Sequence, residues 1–311
     1  MIRFIVNPAA RSGQGLDIFR KLEEEMTARD VPYETYLTEC PGDGTRLAGA
    51  VAEKLEGGDI LGVVGGDGTM SEVAAGLPEG IRCPLFYLPG GSGNDFARGL
   101  GLEPTFEEAA VLLASPDDAV RQKVDISRAC FPDGKERCFV VSSGIGYDAQ
   151  VCWDISQSKL KKGMNQIRLG NLSYLLIGLK DMFTCPLVPA EIINEDNGET
   201  IRTDHLGFVS VQNLPYEGGG FRFAPDARSD DGLLDVCVMT APNHFRLIVL
   251  LLKATFGAKH IGKKGVYSFR ASRIRIRAEK PLPVHTDGEV PGFFSEILCR
   301  AKTGNFKLLR K

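Results

Sequence analysis

The alternation of apolar and polar positions changes character near residue 125. Before that point, short apolar runs at 2–6, 60–64 and 85–88 and the more polar stretch 33–37 predict strands, and each is followed by a segment with apolar residues at helical intervals, near 16–29, 45–55, 69–76 and 105–114. Ile60 to Val64 and Leu85 to Leu88 are almost wholly apolar, as strands buried on both faces are. Strand and helix in alternation predict a mostly parallel sheet covered by helices, an α/β domain. Pro116-Asp117-Asp118 breaks the pattern, and Lys123-Val124-Asp125-Ile126 begins another.

Beyond it the strands shorten and turns multiply. Cys138 to Ser142, Ala190 to Asn194, Gly207 to Val211, Leu234 to Met239, Val266 to Ala271 and Arg273 to Ala278 read as strands joined by Gly, Asp and Pro. Asp196-Asn197-Gly198 has the chemistry of a hairpin turn. Arg273-Ile274-Arg275-Ile276-Arg277 alternates strictly, one face basic and the other apolar. The pattern predicts a mainly antiparallel β-sandwich, interrupted by helical stretches at Trp153 to Phe183 and Asn243 to Ala258. Two domains follow, 1–125 and 126–295, with a return of residues 296–311 to the first left open.

Composition narrows the class. With 43% hydrophobic and 25% charged residues in 311, the chain has the make-up of a soluble globular protein. Its best apolar run, Leu247 to Leu252, spans six residues, far short of the roughly 20 that cross a bilayer. The first residues read directly as a strand, so no signal peptide is expected and the expected location is the cytoplasm. The eight cysteines are scattered without metal-binding spacing and read as reduced core residues. Residues 1–125 carry 11 Lys/Arg against 21 Asp/Glu, so the second half is basic, most densely between Arg246 and Lys280. Such a run is either a solvated face or a surface that meets anionic lipid headgroups. No nucleic-acid-binding motif accompanies it, so nucleic acid is not an expected partner.

The candidate chemistry lies at strand ends. Val63-Val64-Gly65-Gly66-Asp67-Gly68-Thr69 and Pro89-Gly90-Gly91-Ser92-Gly93-Asn94-Asp95 each follow an apolar strand and open a helix, and Asn7-Pro8 to Gly15 follows the first strand. Strand, glycine-rich turn and helix bring backbone N–H groups to a bound phosphate, and glycine removes the Cβ that would keep the backbone away. One such loop is often an ordinary turn. Three at the carboxyl ends of strands in one sheet point to a nucleotide site.

At these residues the chain resembles the diacylglycerol kinase catalytic-domain family, which includes bacterial diacylglycerol kinases and related lipid kinases, with sphingosine and ceramide kinases as relatives. The resemblance lies in the Asn-Pro opening, Gly65 to Glu72, Pro89 to Arg98, Tyr216-Glu217-Gly218-Gly219-Gly220 with Ala224 to Asp235, and Asp287-Gly288-Glu289. The Gly65 block is shared with NAD kinases; the third and fourth blocks favour lipid kinases. Ser92 stands where threonine is commoner, and either hydroxyl makes the same hydrogen bonds. The resemblance implies a Rossmann-like first domain and an NAD kinase-like sandwich, with ATP in the cleft between them and its γ-phosphoryl group passed to a lipid hydroxyl. Matched by position, ATP contacts would be Asn7, Thr38, Gly65, Gly66, Asp67, Gly68, Thr69, Ser71, Glu72, Gly91, Ser92 and Asn94.

Phosphoryl transfer needs positioning and neutralised phosphate charge. Amides of the loops can donate, and Asp67 or Asp95 can hold Mg²⁺ through oxygen or water. A second Mg²⁺, structural, is implied at Asp231 with the carbonyls of Arg228 and Leu233. The acceptor hydroxyl has to lose a proton, and the resemblance assigns the base to Asp287, with Glu289 beside it as the alternative. His285 reads as incidental, a lone loop histidine. The acceptor implied is diacylglycerol, giving phosphatidic acid; an NAD kinase-like activity and a catalytically silent lipid-binding regulator are the competing readings. To reach lipid the chain has two basic and apolar segments. One is 153–183, with the only tryptophan, Lys159, Lys161, Lys162, Arg168, Lys180 and the run Leu172, Tyr174, Leu175, Leu176, Ile177 and Leu179. The other is 245–264, with Lys253, Lys259, Lys263 and Lys264. Either can lie at a membrane interface, or bury its apolar face in the sandwich or in a homodimer contact.

Overall fold

The structure, a computed structural model, describes residues 1–158, 170–255, 257–302 and 306–311, without the side chains of 170–176 and 255. Lys159, Lys161, Lys162 and Arg168, and the side chains of Leu172, Tyr174, Leu175 and Leu176, therefore lie outside the described residues. The strands are β1 (Ile2–Val6), β2 (Tyr33–Leu37), β3 (Ile60–Gly65), β4 (Leu85–Pro89), β5 (Val120–Val124), β6 (Ser127–Cys130), β7 (Glu136–Phe139), β8 (Ser142–Gly146), β9 (Val188–Asn194), β10 (Thr200–Gln212), β11 (Leu234–Thr240), β12 (Val266–Ala271), β13 (Arg273–Thr286), β14 (Glu289–Arg300) and β15 (Phe306–Arg310). The chain divides into two compact units: 1–126 with 229–232 and 302–311, and 127–228 with 233–301.

In the first unit one sheet runs β2-β1-β3-β4-β15-β5. β1 to β4 and β15 are parallel neighbours, and β5 closes the edge antiparallel to β15. All six residues of β3 are buried, which is why its sequence is apolar without alternation. On one face Phe4 meets Phe19 and Phe86 edge to face, ring centroids 5.2 and 6.3 Å apart. Gly62 on the neighbouring strand makes room, because a Cβ there would fall 2.2 Å from the Phe4 ring. The helix Gly15–Thr27 covers this face with Phe19, Leu22 and Met26, spaced at three and four residues.

The second unit is antiparallel. Its sheet runs β12-β11-β10-β8-β13-β14-β6-β7, and β9 pairs with both β10 and β13. β13 pairs with β9 over 274–278 and with β8 over 284–286; β10 pairs with β9 over 200–206 and with β8 over 208–212. β8, β10, β9 and β13 thus close a ring of paired strands around Ile145, Val209, Ile192, Ile276 and Val284. Register shifts between Arg277 and Leu282, and between Thr203 and Leu206, bend the two long strands around it.

Two sequence expectations change here. The run 138–142 is two strands, not one, because the amides of Val140 to Ser142 turn to the Asp287 carboxylate instead of a ladder. The helical stretch 153–183 is described at its ends, by the helices Tyr147–Gln157 and Gly170–Thr184, and 159–169 lie outside the described residues. The basic face of β13 is also not a free cationic surface. Arg273 and Arg275 meet Glu195, Arg275 and Arg277 meet Glu296, and Arg270 meets Asp235. No described helix is long and apolar enough to cross a membrane.

Candidate active site

β1, β3 and β4 are parallel neighbours, so the loops after Val6, Gly65 and Pro89 leave the sheet along one edge. Asn7 joins the first two loops: its N–H donates to Val64 O at 2.9 Å, and its Nδ2 donates to Thr69 Oγ1 at 2.9 Å. A Cβ on Gly15 would lie 1.9 Å from Asn7 O, so only glycine lets the following helix start that close. The second and third loops pack backbone on backbone. Gly90 N–H donates to Gly65 O at 2.7 Å, and a Cβ on Gly91 would stand 2.7 Å from Gly66 Cα. Gly68 lies in the first turn of the helix Asp67–Gly76, and half-buried Ser71 follows on the same helix.

Side chains lock the pair. The Asp67 carboxylate accepts from Asp95 N–H at 3.1 Å and Phe96 N–H at 3.2 Å, so one loop's acid caps the other loop's helix, Asp95–Leu100. Asn94, left-handed at φ 52, accepts from Gly91 N–H at 2.8 Å, and Ser92 is exposed at the tip. One predicted contact is placed otherwise. Glu72 accepts from Gly42 and Gly44 N–H at 2.8 and 3.0 Å, at the start of the helix Asp43–Ala52, so its carboxylate faces that helix and not the glycine loops. Thr38 N–H extends the β1–β2 ladder by donating to Val6 O at 2.9 Å.

Asp231 is half-buried in the turn 228–233, with Gly232 at φ 73. A carboxylate and backbone carbonyls are the oxygen donors that Mg²⁺ takes, which is the chemistry the resemblance implies for Asp231. In the second unit Asp287 sits at φ 48 in the β13–β14 turn. Its carboxylate accepts three successive amides, Val140 at 2.8 Å and Val141 and Ser142 at 2.9 Å each. Glu289, half exposed, has Arg137 3.5 Å away.

Family profiles cover both units. "Diacylglycerol kinase catalytic domain" matches residues 1–129, and "YegS C-terminal NAD kinase beta sandwich-like domain" matches 140–301. The diacylglycerol kinase of Bacillus subtilis (strain 168) is 30% identical over 298 residues, covering 93% of this chain and 90% of that protein. The diacylglycerol kinase of Staphylococcus carnosus (strain TM300) is 30% identical over 297 residues, 93% of this chain and 89% of its own. The chain belongs to the diacylglycerol kinase catalytic-domain family of YegS-like lipid kinases. A crystal structure of a diacylglycerol kinase from Bacillus anthracis str. Sterne shares the fold, with TM-score 0.68 at 24% identity over 100% of this chain and 96% of that one.

Membership makes the protein an ATP-dependent kinase of the lipid kinase type. The structure also brings forward residues that sequence reasoning passed over. Asp125 is 1% exposed and accepts from Gly232 N–H at 2.7 Å, so this acid anchors the Asp231 turn. Its only sequence signal is a charge set between Val124 and Ile126 at a strand end.

His285 is the larger correction. It is not a loop residue: it lies on β13, 1% exposed, with Nε2 3.2 Å from Asp148 Oδ2 and 3.0 Å from Glu217 Oε1. Glu217 also accepts from Ser210 Oγ at 2.6 Å and Gln212 Nε2 at 2.8 Å. Gly144 leaves room for the cluster, since a Cβ there would fall 2.1 Å from Asp148 Oδ2. Three such groups within 4.8 Å have the spacing of a metal site. His285 Nδ1, however, accepts from Gly288 N–H at 3.3 Å, which in the neutral ring places the proton on Nε2, where a metal needs a bare nitrogen. The cluster is a hydrogen-bonded clasp. Burial alone would lower the His285 pKa, but the bonds and charges of Asp148 and Glu217 outweigh it and raise the pKa well above the ordinary histidine value.

Proposed function

We propose that this lipid kinase transfers the γ-phosphoryl group of ATP to the free hydroxyl of diacylglycerol, forming phosphatidic acid at a membrane surface on the cytoplasmic side. The observation that carries the reading is the set of three loops on one sheet edge, two of them packed glycine to glycine, in a chain aligned over nine-tenths of its length with diacylglycerol kinases. Asn7, Thr38, Gly65 to Ser71, Gly91, Ser92 and Asn94 line the ATP site, and Glu72 supports it by holding the neighbouring helix start. Asp67 and Asp95 near the phosphates, and Asp231 with the Arg228 and Leu233 carbonyls, would hold Mg²⁺, which when bound neutralises phosphate charge.

Asp287 meets the acceptor hydroxyl. The hydroxyl oxygen forms the new bond to the γ-phosphorus, the bond from that phosphorus to the β,γ-bridging oxygen breaks, and ADP leaves. The hydroxyl proton passes to the Asp287 carboxylate. Three amide donors hold that carboxylate in place, so it orients the hydroxyl first and takes the proton late, as a loose transition state allows. Glu289 stands at the same turn as the alternative base.

Membrane contact is supported by the helix His244–Thr255, which is apolar on both sides. Leu247, Leu250 and Leu251 are buried, while Phe245 is 76% and Leu252 48% exposed. Exposed Lys259, Lys263 and Lys264 follow it in the chain. The test is transfer of labelled phosphate from ATP to dioleoylglycerol, ceramide, sphingosine and NAD side by side, with products identified by mass. Phosphatidic acid is expected. Label on another lipid alone overturns the diacylglycerol assignment, and label on NAD alone overturns the lipid acceptor.

A further inference from the structure

We propose that His285 is a positioning residue for the acceptor side of the reaction. Its ring, clasped at Nε2 by Asp148 and Glu217, holds the Asp287–Gly288 turn through Nδ1, and uptake of a second proton at Nδ1 releases that turn. The proposal rests on the reading that Asp287 meets the acceptor hydroxyl.

The argument begins with donors and acceptors. Gly288 N–H points at Nδ1, so the bond exists only while Nδ1 carries a lone pair. The ring's one proton then sits on Nε2, between two carboxylate oxygens at 3.2 and 3.0 Å. A cationic ring would set Nδ1–H against Gly288 N–H, donor to donor, and Gly288 could not keep its place. Gly288 directly follows Asp287, whose carboxylate is fixed by the amides of 140–142, so a change at Gly288 shifts the turn around a fixed carboxylate.

The clasp also reaches beyond the turn. Asp148 opens the helix Tyr147–Gln157, and Glu217 belongs to the glycine-rich stretch 216–220. The titratable groups facing the ring are Asp148, Glu217 and, two residues away in sequence, Asp287. Cys237 on β11 feels the charges of both clasping carboxylates, and burial keeps it a neutral thiol. Burial raises the Asp148 pKa, partly against His285, whereas for Glu217 the bonds to His285, Ser210 and Gln212 outweigh burial and lower it. The ring therefore faces at least one firmly ionised carboxylate, which favours the second proton at a pH above that of a free imidazole.

Two substitutions separate the halves of the clasp. Asparagine places an oxygen where Nδ1 lies and cannot titrate; glutamine places a donor near Nε2 but offers Gly288 no acceptor. In wild type, kcat is expected to rise with pH through one ionisation above the range of a free histidine. His285→Asn is expected to make kcat flat over that range. His285→Gln is expected to hold kcat at the low-pH wild-type level at every pH, about tenfold below wild type at high pH, with the KM for ATP unchanged. A wild-type profile in His285→Asn, or wild-type kcat in His285→Gln at high pH, overturns the proposal.

The ¹⁵N ring signals of His285, identified by their absence in His285→Asn, give a readout independent of turnover. An Nε2–H tautomer at high pH, with the second proton arriving on Nδ1, is expected. An Nδ1–H tautomer, or tightly bound zinc whose removal shifts these signals, overturns it. The same spectrum in Asp287→Asn separates the two readings. Retained turnover in that variant removes Asp287 from its role, while the ring tautomer still reports whether His285 holds the turn.

Discussion

The loops at 65–69 and 89–95 and the turn at 285–288 both bring polar groups to a point, by opposite means. In the first unit backbone approaches backbone. Gly65, Gly66, Gly90 and Gly91 come together because none has a Cβ, and the parallel pairing of β3 with β4 aligns them at Gly65–Pro89. In the second unit side chains from distant stretches converge on a strand end: Asp148, Glu217 and His285, with the amides of 140–142 around Asp287. A backbone cradle tolerates no added atom but does not depend on ionisation. A side-chain cluster tolerates exchange of similar groups and answers to pH.

The sharpest way to break this comparison is at the carboxylate the second unit holds most firmly. Asp287→Asn replaces one acceptor oxygen with an amide that cannot accept from Val140 to Ser142 as the carboxylate does. Loss of the proposed proton acceptor is expected to lower kcat by about 10²- to 10⁴-fold, the usual span for a general base, with ATP affinity retained. Steady-state kinetics with nucleotide-binding titration checks both halves. Turnover near wild type would leave Glu289 as the base.

The matching change in the first unit is Gly91→Ala. The added methyl would fall 2.7 Å from Gly66 Cα and 2.8 Å from Asn94 Oδ1, so the two loops must part. Overpacking of this kind costs about 1–3 kcal/mol, and here it is expected to appear as a tenfold or greater rise in the KM for ATP. kcat at saturating lipid and ATP should fall less than in Asp287→Asn. Unchanged ATP affinity would show that the close approach does not serve the nucleotide.

These two sites were not equally legible in the sequence. The strand–glycine–helix blocks stand within a few residues of one another, so β1, β3, β4 and their loops could be read directly, as could Asp287 through its Asp-Gly-Glu block. The clasp could not. Asp148, Glu217 and His285 are separated by up to 137 residues and meet only because β8 and β13 pair over 284–286 while β8 also pairs with β10. A histidine whose partners lie that far away looks solitary. The long β10 and β13 were underestimated for a related reason: Arg202 to His205 and Glu279 to Lys280 look like polar breaks but are the bends by which one strand serves two partners. Glu72 shows the converse, a residue inside a recognisable block whose carboxylate serves the neighbouring helix.

The units also differ in charge, and substitution of lysines tests whether that difference serves a membrane. Lys259, Lys263 and Lys264 are exposed, whereas the arginines of β13 are already matched by Glu195 and Glu296. Exchanging the three lysines for glutamine is expected to weaken binding to vesicles rich in anionic lipid by about 1 kcal/mol per charge. Salt should weaken wild-type binding in the same direction, and ATP affinity should not move. Sedimentation with vesicles unchanged by the triple substitution would leave the exposed Phe245 and Leu252 face to another contact, such as a second copy of the chain.

The smallest expected effect sharpens the comparison within the second unit itself, because Asp181 is the opposite of Asp287. It lies in the helix Gly170–Thr184, fully buried, and among the described residues neither carboxyl oxygen has a hydrogen-bond partner; the Lys180 ammonium stands 3.6 Å away. Burial, and then the charge of Asp154, push its pKa up to about 6. An unfolded aspartate titrates near 3.9, so between about pH 4 and 6 the folded chain holds more of the proton, and stability falls as pH rises through that window. Below it both states are protonated and there is no penalty; above it the penalty is complete. Asp181→Asn removes the titration while keeping the shape. Its melting temperature should therefore match wild type near pH 4 and exceed it by a few degrees at pH 8. Equal differences at both pH values would mean that Asp181 is satisfied by a partner in the folded chain, and that the second unit tolerates no carboxylate without donors.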